Sequence, residues 1–118
     1  MSGVVYKLAD GRDWDAARPA QAYRGSAVDL ADGYIHLSTG AQLAETARRH
    51  YAGRAGLVLA AVDAATLGEA LRWEASRGGD LFPHLYGPLP LAAMTAERRL
   101  SVGEDGVMVF EDGAVGWA

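Results

Sequence analysis

Two short strings each place a histidine inside an apolar run: Tyr34-Ile35-His36-Leu37-Ser38-Thr39-Gly40 and Leu81-Phe82-Pro83-His84-Leu85-Tyr86-Gly87. Imidazole in a half-buried strand must find a hydrogen-bond partner or lose free energy, and it changes charge near neutral pH. The chain has three histidines, and these strings hold two of them. Brought together, the strings would make a small pocket of two imidazoles, two phenols and a pair of hydroxyls, a site for a polar small molecule. In a strand, His36 faces away from Ile35 and Leu37 and shares its side with Tyr34 and Ser38. The alternative for His36 is a structural histidine bonded to a loop carbonyl. Phe82, His84 and Tyr86 fall on one face, as a wall for a flat ligand or as ordinary packing beside a proline turn. In Leu71-Arg72-Trp73-Glu74, Arg72 and Glu74 share a face and Trp73 takes the other, where it reads as a core residue. Arg72 or Arg77 is a candidate for a phosphate or carboxylate.

The elements that must position these residues follow from local patterns. Val4 to Leu8 and Tyr34 to Ser38 read as strands. Asp10 caps a short helix that Pro19 cannot continue. Residues 20–33 read as a loop or weak strand closed by Asp32-Gly33. Thr39 opens the best helix, with Gln42 completing a capping box and Leu43, Ala47 and Tyr51 forming one apolar stripe. Ser38-Thr39 lies at the helix start, where free N–H groups favour anions, although a simple cap accounts for Thr39. Leu57 to Val62 is a continuous apolar run, which predicts a central strand buried on both faces. Leu71 to Glu74 and Leu81 to Tyr86 follow as strands around a loop at 75–80, and Leu91 to Val102 is strand-like. Asp105-Gly106 before Val107 to Phe110 signals a hairpin. Residues 110–118 read as an edge or frayed tail. The order predicts one α+β domain over 1–118, with a split, mostly antiparallel sheet and two short helices.

Composition removes several function classes. There are no cysteines, so no disulfide, thiolate metal site or cysteine nucleophile exists. Three scattered histidines lack metal-ligand spacing. Ser38 lacks the Gly-x-Ser-x-Gly elbow of a serine hydrolase. The net charge is −4. Residues 1–59 carry +1 and residues 60–118 carry −5, which argues against general nucleic-acid binding. No apolar run is long enough to span a bilayer, and Met1 to Val5 does not resemble a signal peptide, so a cytoplasmic protein without a membrane partner is expected.

The strings Ile35-His36-Leu37-Ser38-Thr39, Leu71-Arg72-Trp73-Glu74 and Leu81 to Gly87 together resemble the signature segments of a bacterial family known as domain of unknown function 952. The resemblance runs from about Tyr6 to Phe110. It implies the fold of the ADP-ribosyltransferases, a split sheet around a cleft for a nicotinamide dinucleotide, with NAD as the cofactor that fold suggests. Where the family often has Tyr-His at the end of its first strand, this chain has Tyr6-Lys7. Transferases of this fold also place a glutamate late in the sheet, and Glu74 is the residue that matches. The resulting expectation is a cleft lined by His36, Ser38, His84 and Tyr86. Thr39 and Arg72 would assist binding of a nucleotide or other polar small molecule, and Glu74 and His36 are the catalytic candidates. The alternative is a non-catalytic protein-interaction module on the same scaffold.

Overall fold

The computed structural model describes residues 3–112. Strand β1 (Val4–Asp10) pairs with β4 (Leu57–Asp63), β4 with β8 (Met94–Val102), and β8 with β9 (Met108–Phe110). A second sheet has the order β3-β6-β5, from Ile35–His36, Leu81–Leu85 and Leu71–Ala75. The two-residue strands β2 (Ala22–Tyr23) and β7 (Leu89–Pro90) pair separately. Each of these pairings is antiparallel, which gives the expected α+β class. Tyr6 and Ser38 exchange two backbone hydrogen bonds of 2.8 and 2.9 Å, which tie β1 to the chain just after β3.

The apolar run of β4 is central, as its composition predicts. Val58, Ala60 and Val62 join Trp14, Ile35, Leu37 and Leu85 in one core. Leu57 and Leu59 point the other way, to Leu43, Ala47, Leu100 and Phe110. Both faces of β4 are therefore dry, and each of its fully buried Leu or Val side chains contributes about 1.5–3 kcal/mol relative to exposure.

Helix α1 (Gly11–Ala16) starts at Asp10, whose carboxylate accepts from the Arg12 amide. Helix α3 (Gly40–His50) has the Thr39/Gln42 capping box and buries Leu43 and Ala47. Three further expectations need correction. The stretch 20–33 is not simply loop or weak strand: it contains β2 and a third helix, α2 (Ala27–Asp32), so the described residues hold three α-helices rather than two. Leu91–Ala93 forms a 3-10 turn, and the strand begins only at Met94. Trp73 is no core residue, because β5 is the outer strand of its sheet and leaves the indole 47% exposed. The hairpin at Asp105-Gly106 forms as expected, with Gly106 at φ +84°. Within the expected tail, Phe110 is the last residue of β9, and residues 113–118 lie outside the described residues.

Candidate functional site

Helix α2 is six residues long and depends on its ends. Ser26 accepts from the Asp29 amide while Asp29 accepts from the Ser26 amide, a reciprocal capping box, and Gly33 closes the helix at φ +88°. This short helix swings Asp29 inward until only 2% of its surface is exposed. There it meets Lys7 of β1, itself 4% exposed, across a 2.8 Å ion pair. Lys7 Nζ also donates to the His36 carbonyl at 3.1 Å. Asp29 Oδ1 lies 2.6 Å from His36 Nδ1 and accepts from the His36 amide at 3.1 Å. Burial opposes ionisation of Asp29. The bonds from His36, the Lys7 charge and the Ser26 amide outweigh it and hold the carboxyl well below the ordinary carboxylate range. At Lys7 burial pulls the other way, favouring loss of the proton, and the Asp29 charge opposes it. Asp29 collects four donor contacts from three residues, so the charged pair is the state this geometry supports.

The outer nitrogen of His36 is 3.0 Å from Asp32 Oδ2, one turn further along α2. His36 thus bridges two carboxylates of one helix, and both contacts are hydrogen bonds only when both ring nitrogens carry protons.

Across the sheet, His36 sits directly opposite His84, and His84 opposite Arg72. The three side chains form one row on one face. His84 is buried, with Nδ1 2.8 Å from Glu74 Oε1. The Tyr86 hydroxyl donates to the same oxygen at 2.8 Å. These two bonds, from His84 first and then Tyr86, lower the Glu74 carboxyl, and the same contact raises the Tyr86 phenol. The Tyr34 ring stacks on His84 at 4.1 Å and touches Tyr86 at 5.2 Å. The two imidazoles meet edge to face at 5.7 Å. The Arg72 guanidinium lies 4.7 Å from the centre of the Tyr86 ring. The result is a half-open aromatic face with a buried, carboxylate-held histidine at its floor.

The expected residues divide accordingly. His36, Arg72, Glu74, His84 and Tyr86 come together. Ser38 is buried, with its hydroxyl 2.9 Å from Thr46 Oγ1 on α3, so it fastens the strand to the helix. Thr39 accepts from the Gln42 amide as the cap. Two shallow cavities of about 300 Å³ each lie elsewhere, one between α3 and the 78–82 segment and one beside the 105–108 turn. On the histidine face, Tyr34, His36, Glu74 and Tyr86 are half-buried and Arg72 is exposed.

Residues 8–97 match the family described as Protein of unknown function (DUF952). The chain belongs to this family. Its fold is also that of a solved relative, protein CC0527 from Caulobacter crescentus. The crystal structure of that protein is 53% identical and superposes with a TM-score of 0.85, covering 90% of this chain and 93% of the other. Its solution NMR structure, also 53% identical, gives 0.76 over 87% and 89%. No curated protein matches this chain.

In this DUF952 chain, the local sequence marks Asp32 only as part of a turn, does not mark Asp29 as a site residue, and gives Lys7 no partner. The signal was present as Ser26-x-x-Asp29 followed by Gly33, the spacing of a capped short helix. Nothing local says that the helix would turn its first acid onto a lysine 22 positions earlier in the chain.

Proposed function

We propose that the face formed by His36, His84, Tyr34, Tyr86, Arg72 and Glu74 binds a polar, flat small molecule of the nucleotide class, as an enzyme or a former enzyme. The observation that carries this reading is the cross-strand row Arg72–His84–His36, roofed by two tyrosines and left half open. His36 keeps 35% of its side chain accessible, so its ring can meet a ligand although both nitrogens face carboxylates. The aromatic rings suit a stacked base, and Arg72 suits a phosphate or carboxylate. The resemblance to ADP-ribosyltransferases makes NAD the first compound to try. In this reading His36, Arg72 and Tyr86 hold the ligand, and Glu74 is the electrostatic partner that orients His84. Lys7 is spent on Asp29, so it supports the site from beneath rather than gripping a dinucleotide. Ser38 and Thr39 belong to the frame.

The test is an NMR titration of labelled protein with NAD, ADP-ribose and a set of mononucleotides, following the imidazole signals. Saturable shifts at His36 and His84, with His50 on α3 unmoved, support the site. No shift of either histidine at millimolar ligand refutes nucleotide binding here.

A further inference from the structure

Among the described residues, strand β5 pairs only with β6 and forms one edge of the sheet β3-β6-β5. Its pairing with β6 runs through Arg72↔His84 and Glu74↔Phe82, and the Tyr86 amide continues the same ladder to the Ala70 carbonyl at 2.8 Å. Trp73 stands opposite Pro83. Pro83 has no N–H, and its carbonyl already accepts from the Leu37 amide on the far side at 3.0 Å. The Trp73 peptide groups therefore point away from β6, out of the sheet. Around them the edge carries an exposed indole, with Leu81 beside it on the same face and 56% exposed. An edge of this kind is a template for another strand unless something blunts it.

We propose that β5 pairs with β5 of a second copy of this chain, antiparallel and in a register centred on Trp73. The argument for a second copy is charge complementarity along this strand. Centred on Trp73, the pairing sets Arg72 of each chain opposite Glu74 of the other on the histidine face, and Leu71 opposite Ala75 on the reverse face. A shift by one residue toward either end loses both opposite-charge pairs. The two Trp73 residues exchange reciprocal N–H···O bonds and lie side by side, covering the exposed indoles. Both histidine faces end up on the same side of one six-stranded sheet. Each Glu74 spends Oε1 on His84 and Tyr86, so Oε2 receives the guanidinium of the partner's Arg72. The second copy thereby contributes a cation to the Glu74–His84 group. The pairing draws on Arg72 and Glu74, which the nucleotide reading also uses, but it needs no ligand, so its test reads association of the ligand-free chain and its failure is distinguishable from a failure of ligand binding.

The experiment is sedimentation velocity of the full chain over a wide concentration series, with charge variants. Wild type is expected to rise toward twice the chain mass as concentration increases. R72E and E74R each set like charges opposite one another and should stay monomeric, while R72E/E74R restores opposite pairs and should associate again. W73P removes the central outward N–H without touching the β5–β6 ladder, so it should remain folded by circular dichroism and monomeric. A wild type that is monomeric throughout overturns the proposal. So does a double charge swap that associates no better than either single variant while all remain folded, or a folded W73P that still dimerises.

Discussion

The buried pair Lys7–Asp29 sets the position of His36, and its energetics can be worked from the geometry. Substituting Asp29→Asn keeps the size of the side chain but replaces one oxygen by an amide NH2. Whichever way the amide turns, that group faces a donor: Lys7 and the Ser26 amide on one side, or His36 on the other. Lys7 is left buried without a counter-charge, which costs about 3–5 kcal/mol. Lys7→Met leaves the Asp29 carboxylate with its contacts to His36 and Ser26, so the cost is smaller, about 1–3 kcal/mol. Removing both charges together should cost less than the sum, because a buried ion pair traded for uncharged groups is often near neutral. The coupling energy should be at least about 2 kcal/mol. Urea unfolding followed by circular dichroism on wild type, both single variants and the double variant closes the cycle. Additive losses would refute the reasoning. So would an Asp29→Asn cost below about 1 kcal/mol, the range of an exposed pair. Either result would mean that the pair is hydrated and does not fix the site.

Three further outcomes follow from the same contacts. The depressed Asp29 carboxyl adds stability that is complete above the unfolded value, about pH 4, and is lost as pH falls through the folded value. The stability gap between wild type and Asp29→Asn should therefore shrink as pH drops below about 4, while Glu45, held to about 2 by Arg48 and Arg49, contributes equally to both proteins. Glu74→Gln weakens the hydrogen bond to Tyr86 and removes the charge beside it, both of which raise the Tyr86 phenol, so the Tyr86 ring signals should titrate at lower pH than in wild type; an unchanged midpoint would show that the ionised Glu74 does not hold the phenol in solution. The Tyr23 hydroxyl is buried without a hydrogen-bond partner among the described residues, and burial together with the Asp29 charge pushes its phenol upward. Tyr23→Phe should be neutral or stabilising by up to about 1 kcal/mol in thermal or urea unfolding, and a clear loss of stability would reveal a bond that the hydroxyl makes in solution.

Features that depend on neighbours a few positions away can be read from the residues alone. The helix after Thr39 was legible because its capping box and four-residue stripe are local geometry. Strand β4 was legible because a run that is apolar at every position can only be buried on both faces. Alternation placed His36 opposite Ile35 and Leu37 in direction, and Arg72 with Glu74 on one face, as the structure has them. The same logic failed at 20–33, where polar and small residues mask a six-residue helix held mainly by its caps. It failed again at Trp73, where the sequence shows an aromatic residue in a strand but not that the strand ends its sheet. Which groups meet is a matter of long-range packing. The pairings of His36 with His84 and Arg72 with His84, Asp29 turned onto Lys7, and Tyr34 laid over His84 are all set by register between strands and by how α2 closes against β1 and β3. Strand register and helix docking depend on the fit of whole apolar faces, in which each polar residue is carried along by its neighbours, so no spacing within one segment records them.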